Sequence, residues 1–366
     1  MQPGSGTDVR GGRSILKRAI VGIVLLAAIA GGGAWLMDAS IDKTEETAAA
    51  GDGRVRLAGV TSWGYQLQRL DVASAAAAPI DLIVVDHSVA ERGEDSSVLE
   101  RLKRKADGSR RTVLAYVSIG EAEDYRRYWR KEWAAPAPLR GARPLLTSLT
   151  TGGSAVRTHA RPLAADTARP PLVPTAAAPA WLGDENAEWR GNFRVRFWHP
   201  DWKTLVFGQA DSAIDRAVAA GFDGVYLDRA DVYGLWRREQ PSARADMIDL
   251  VSGLAAHARR QKPGFMVVMQ NAEELLTSRE LRRTLDGVAK EDLLFGIDGE
   301  GRQNAAADID ASLKYLRVAR KDGLPVLVIE YVAEPMARES IRKRLAGEGF
   351  VASFGPRMLD SLSSVR

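Results

Sequence analysis

The chain has 366 residues, 45% of them hydrophobic, enough for one large core or two smaller ones. Its charges nearly balance at a formal +4, and no basic stripe marks a nucleic-acid partner; the densest run, RLKRKADGSRR (101–111), reads as an exposed helix end and turn. There is no cysteine, which excludes disulfides, thiolate metal sites, a cysteine nucleophile and a lipid anchor on Cys.

Residues 1–18 are basic, with Arg10, Arg13, Lys17 and Arg18, and precede AIVGIVLLAAIAGGGAWLM (19–37), nineteen residues without a charge. A bilayer-spanning helix needs about 20 apolar residues, and the basic flank is expected to stay in the cytoplasm. The segment reads as a transmembrane anchor in the inner membrane or, with small Ala39 and Ser40 after it, as a cleaved signal peptide. Either way the remainder is expected on the periplasmic or extracellular face. Residues 38–56 are polar and rich in Ala and Gly, as a flexible tether would be.

From residue 57 to 366 short apolar runs alternate with helical patterns. The runs are LAGVTSW (57–63), IDLIVVD (80–86), RTVLAYVS (111–118), FDGVYLD (222–228), FMVVMQN (265–271), LDGVAKED (285–292), LPVLVIEY (324–331) and GFVASFG (349–355). Most are too continuous to alternate in and out, which predicts strands buried on both faces. Helices are predicted over 211–220, 242–261, 303–321 and 335–347. Eight strands with intervening helices predict an α/β fold, a (β/α)₈ barrel of the TIM type. The alternative is a doubly wound open sheet. It would ordinarily show a Gly-rich phosphate loop, and neither GxGxxG nor GxxxxGK[ST] occurs, so no cofactor is expected. Residues 134–180 are rich in Pro, Ala, Thr and Arg, and read as a mostly flexible insertion after the third strand.

In such a barrel the active site gathers where the strands finish. Several runs finish on an acid or amide: Asp86, Glu121 just beyond its strand, Asp228, Gln270 and Asn271, Glu291 and Asp292, and Glu330. The opposite ends read as mostly Gly, Pro and ordinary polar residues. One such acid is as easily a structural ion-pair partner, but five ends converging on one rim are not. The four histidines show no HxH or HExxH spacing, so a histidine metal site is not expected, and an all-carboxylate Mg²⁺ or Ca²⁺ site is the remaining metal reading. GxSxG is absent, which argues against a serine triad. A carboxylate pair suits glycoside hydrolysis. Tyr65, Tyr125 and the tryptophans at 63, 129, 133, 181, 189, 198 and 202 are expected near the mouth loops, where sugar rings could stack.

The segments SWGYQLQ (62–68), DLIVVDHS (81–88), VLAYVSIGEAEDYRRYW (113–129), WLGDENAEWRGNFRVRFWHPDW (181–202), GFDGVYLDRADVY (221–233), QNAEEL (270–275), GVAKEDLLFG (287–296) and VLVIEY (326–331) together resemble glycoside hydrolase family 114. That is the endo-α-1,4-polygalactosaminidase-like group, and the resemblance spans roughly 57–360. It implies a (β/α)₈ fold and hydrolysis of galactosamine-containing exopolysaccharide. Its Asp at the end of the fourth strand and Glu at the end of the sixth map onto Asp228 and Glu291. Strand parity alone leaves Glu291 and Asp292 open; the resemblance favours Glu291. The insertion departs from the short link expected there.

Asp228 is then expected to act as nucleophile and Glu291 as general acid/base, with Tyr65, Asp86, Glu121, Asp231, Gln270, Asn271 and Glu330 lining the subsites and no metal or cofactor. Retention requires the carboxyl groups about 5–5.5 Å apart and inversion about 6.5–9.5 Å. Two readings of other kinds stay open: a non-catalytic polysaccharide-binding module of an export or matrix system, and a hydrolase of another linkage.

Overall fold

The computed structural model describes residues 53–90, 97–137 and 169–362, all within one compact unit. Eight parallel strands form one sheet: β1 (Trp63–Gln66), β2 (Leu82–Asp86), β3 (Thr112–Ser118), β4 (Gly224–Asp228), β5 (Met266–Gln270), β6 (Gly287–Glu291), β7 (Val326–Glu330) and β8 (Val351–Phe354). Each pairs with its neighbour in chain order, as right-handed βα units require. The Trp63 indole donates to Val351 O at 3.0 Å and the Ser353 hydroxyl to Trp63 O at 2.8 Å, so side chains join the last strand to the first. The architecture is a TIM barrel, with helices on the outside.

Two apolar layers explain the continuous runs. Tyr65, Val84, Leu114, Tyr116, Tyr226, Val268, Ala289, Ile329 and Tyr331 cluster inside the ring. Their strand neighbours Val85, Val113, Ala115, Val225, Val267, Val288 and Val328 pack outward under the helices. Burying each such large side chain contributes about 1.5–3 kcal/mol, so neither face of a strand tolerates a polar residue without a partner. The four predicted helices appear as Ala213–Ala220, Ala243–Gln261, Ala306–Lys321 and Pro335–Gly347. The last starts at Pro335 behind Glu334, whose carboxylate accepts from the backbone N–H groups of Met336 and Ala337.

Three expectations change. The run 57–63 is not the first strand: residues 53–58 are helical, Leu57 and Val60 join the inner cluster, and β1 begins at Trp63. That helix lies partly in the predicted tether, yet Arg54 Nε donates to Leu285 O at 2.9 Å and Arg56 bonds Gly264 O, fixing it across the strand starts. The flanks of the 134–180 insertion are regular, because Ala134–Pro136 pairs antiparallel with Leu172–Pro174. The remainder of the insertion, 138–168, and the predicted anchor at 19–37 lie outside the described residues. Among the described residues no helix is long and apolar enough to cross a membrane.

The ends where strands begin also differ from expectation. Asp81, Asp223 and Asp286 precede β2, β4 and β6 there, and all are held by cations and backbone N–H groups. These runs are acidic at both ends.

Candidate active site

A cavity of about 570 Å³ opens where the strands finish. Tyr65, Asp86, Glu121, Asn271 and both Asp228 and Glu291 line it. Asp228 shares its strand face with Tyr226, and Glu291 with Ala289, both in the inner cluster. Inner and outer layers therefore distinguish Glu291 from Asp292 by parity, which the runs alone did not.

Three expected subsite residues are not brought to the cavity. Glu330 has the outward parity of Val328, and accepts from the N–H groups of Leu294 at 2.7 Å and Phe295 at 3.1 Å. Tyr331, the residue that follows the strand, faces the site instead. Gln270 lies behind Tyr65, whose hydroxyl approaches its Oε1 at 3.4 Å. Asp231 sits in the short helix Ala230–Trp236, 3.9 Å from Arg229.

Each central carboxylate receives a tyrosine hydroxyl. Tyr116 donates to Asp228 Oδ2 at 2.9 Å, and Tyr331 donates to Glu291 Oε1. Burial pushes the Asp228 carboxyl up to about 6; Arg229 opposes the rise and Asp231 adds to it. Burial likewise pushes Glu291 up to about 7, reinforced by the charges of Asp228 and Asp292 and opposed by Tyr331 and Arg357. Glu121, 1% exposed, rises to about 6, chiefly by burial, although Arg229 Nη2 lies 2.8 Å and Asn186 Nδ2 2.9 Å from its Oε1.

The chain leaves these strands through left-handed residues that are not glycine: Arg229 after Asp228 (φ 62°), Asn271 and Ala272 after Gln270 (55° and 50°), and Asp292 after Glu291 (51°). Such conformations cost about 1–3 kcal/mol each and persist where surroundings enforce them. Here the turn is enforced by side chains. Asn271 Oδ1 accepts from the Glu291 N–H at 3.1 Å, and Arg357 grips Asp292 through both oxygens at 2.9 and 2.8 Å.

Ion pairs wall the cavity. Arg126 holds Asp86 through both oxygens at 2.9 and 2.8 Å and Glu123 at 2.6 Å; burial raises the Asp86 carboxyl, but Arg126 outweighs it and leaves the carboxyl below its ordinary value. Arg357 also lies over the Tyr331 ring, 4.4 Å from its centroid. Tyr116, Tyr331, Arg126, Arg229 and Arg357 were not anticipated. The two tyrosines carried a signal, since both fall in predicted strands on the inward register. The arginines did not, because their partners are distant in sequence.

The aromatic expectation holds for few residues. Trp63 belongs to the inner cluster, and Trp129, Trp133, Trp181, Trp198 and Trp202 to the outer core; of the residues named above only Tyr65, Tyr125 and Trp189 line the cavity. Among the described residues no group of His, Asp and Glu is arranged to hold a metal ion.

The profile of glycoside-hydrolase family GH114 matches residues 169–364, over half the chain. An uncharacterized protein of Deinococcus radiodurans is 31% identical over 84% of this chain and 83% of its own length. The chain belongs to family GH114. It is therefore a glycosidase. The uncharacterized protein MJ1477 of Methanocaldococcus jannaschii is also 31% identical, over 77% of this chain and 70% of its own. In fold the GH114 chain is similar to the glycoside hydrolase domain of PelA from Pseudomonas aeruginosa (TM-score 0.54, 20% identity, covering 84% of this chain and 99% of that one). It is also similar to Ega3 of Aspergillus fumigatus in complex with galactosamine (TM-score 0.52, 17% identity, covering 83% and 93%).

Proposed function

We propose that this enzyme hydrolyses α-1,4-linked galactosamine-containing polysaccharide, with Asp228 as nucleophile and Glu291 as general acid/base in a retaining mechanism. The observation that carries the reading is the pair itself: two carboxylates in one cavity, each bonded to a tyrosine hydroxyl, with protonation near about 6 and about 7. Near neutral pH the lower-pKa Asp228 is mostly ionised and able to attack the anomeric carbon. Glu291 keeps a proton to give to the leaving oxygen, and in the second step takes one from water.

The substrate follows from charge and from likeness. Among the described residues that line the cavity, Asp228 and Glu121 both lie against Arg229, and Asp86 and Glu123 both bond Arg126, so this side of the cleft carries excess negative charge. A polymer with free amino groups would be drawn into it. Ega3, of similar fold, was solved with galactosamine.

The test is reducing-end release from poly-galactosamine and its N-acetylated form by the parent enzyme, Asp228→Asn and Glu291→Gln. Release by the parent, lost by about 10³-fold or more in both variants, is the expected result. Full activity in either variant removes that residue from the mechanism, and an anomer of inverted configuration as first product removes retention.

A further inference from the structure

Seven of the eight described tryptophans belong to the two hydrophobic clusters: Trp63 to the inner one, and Trp129, Trp133, Trp181, Trp198, Trp202 and Trp236 to the outer core. Trp189 belongs to neither, stacks on no other ring among the described residues, and lines the catalytic cavity. Tyr125 is also outside both clusters and lines the same cavity, although it is 65% exposed. An indole and a phenol kept out of the core beside a glycosidase centre have a surface to offer that folding does not use.

The Trp189 turn and the Tyr125 side chain are both held in place. Trp189 lies on the tight turn between the paired strands Leu182–Glu185 and Asn192–Val195, closed by Asn186 N–H to Asn192 O at 2.7 Å and Asn192 N–H to Trp189 O at 3.1 Å. The Asp124 N–H donates to Gly191 O at 2.9 Å, and so ties this turn to the residue before Tyr125. Gly191 is left-handed (φ 90°), and a Cβ there would come 2.9 Å from the Asp124 carboxylate, so glycine permits the approach. Tyr125 donates to Glu123 at 2.5 Å, with Arg126 against its ring at 4.8 Å. Glu188, next to Trp189 in the chain, lines the same cavity, and its carboxylate takes no hydrogen bond or ion pair among the described residues.

Given the substrate argued above, we propose that Tyr125, Trp189 and Glu188 form an outer sugar subsite, separate from the Asp228–Glu291 pair but continuous with its cavity. It takes a further pyranose of the same chain. The two rings cover the apolar face of the sugar, and Glu188 receives its ammonium group.

The test uses the full chain and galactosamine oligomers from dimer to octamer. Trp189→Ala is expected to lower kcat/KM on long oligomers about tenfold, mainly through KM, and to leave the dimer unaffected. Trp189→Phe should recover most of that loss, and Tyr125→Ala should repeat the length-dependent pattern at smaller size. Glu188→Gln should weaken binding of the amino polymer while sparing the N-acetylated one. An equal loss at every length, or none, overturns the subsite while the parent's activity leaves the substrate reading in place. A parent inactive on every amino-sugar oligomer overturns that reading and the subsite with it.

Discussion

Where the barrel strands begin, Asp81, Asp223 and Asp286 stand immediately before or at the threshold of β2, β4 and β6; where they finish, the same strands close on Asp86, Asp228 and Glu291. The members of each pair are five residues apart, an odd number, so they occupy opposite strand faces. The acids at the beginning are tied to cations and to backbone N–H groups. Asp223 takes the Val113 N–H at 2.9 Å and Arg110 at 2.6 Å; Asp286 takes the Val267 N–H and Arg259, both at 2.7 Å. Asp81 binds the N–H groups of Thr61 and Ser62 and Lys105, and these hold its carboxyl down at about 2 despite burial. Each thus ties its strand to the start of the preceding one. At the other rim Asp228 and Glu291 have one tyrosine hydroxyl apiece and open onto a cavity. The difference between the two sets lies in what each faces: the start of the preceding strand with its cation, or an open cavity.

The comparison can be broken most sharply by exchanging its two ends. Asp228→Asn should abolish turnover without loss of fold. Because the fold raises the Asp228 carboxyl to about 6, ionising it costs stability as pH climbs from the unfolded value near about 4. The variant should therefore match the parent's Tm at about pH 4 and exceed it at about pH 7, by thermal melts across that range. Asp286→Ala should do the reverse: a loss of about 3–5 kcal/mol, because buried Arg259 loses its counter-charge, with turnover per folded molecule preserved. An unchanged urea midpoint would place Asp286 outside the structural set.

A smaller effect sharpens the reactive end. The parent's kcat/KM should be bell-shaped, falling below about pH 6 as Asp228 gains its proton and above about pH 7 as Glu291 loses its own. Tyr331→Phe removes a hydrogen bond that favours ionised Glu291, so the alkaline limb should move to higher pH, with turnover down by about tenfold or less. A limb that stays put would mean the Tyr331 hydroxyl serves packing alone.

Much of the barrel was legible because its strands are apolar on both faces, a pattern few other folds impose. The first strand was misplaced because Leu57 and Val60 are as hydrophobic as strand residues, yet lie at or near the helix that covers the barrel floor. Asp228 and Glu291 were legible as strand-final acids, while their meaning came from the family resemblance. Asp223 and Asp286 lie in the same apolar runs, but a sequence does not show which carboxylate finds an arginine. The same limit hid Arg126 and Arg357, whose partners Asp86 and Asp292 are 40 and 65 residues away.

Among the described residues β1 and β8 share no backbone ladder; the seam is closed by Trp63 and Ser353, and beyond them by Leu359 O, which accepts from the N–H groups of Leu67 at 2.8 Å and Gln68 at 3.0 Å. The segment that seals the seam also furnishes Arg357, Met358 and Leu359 to the cavity. In chain order, both strand-final acids precede the residues that complete the wall beside them. A chain broken off before residue 356 would therefore carry both acids into a ring whose seam lacks the Leu359 contacts and whose cavity lacks Arg357.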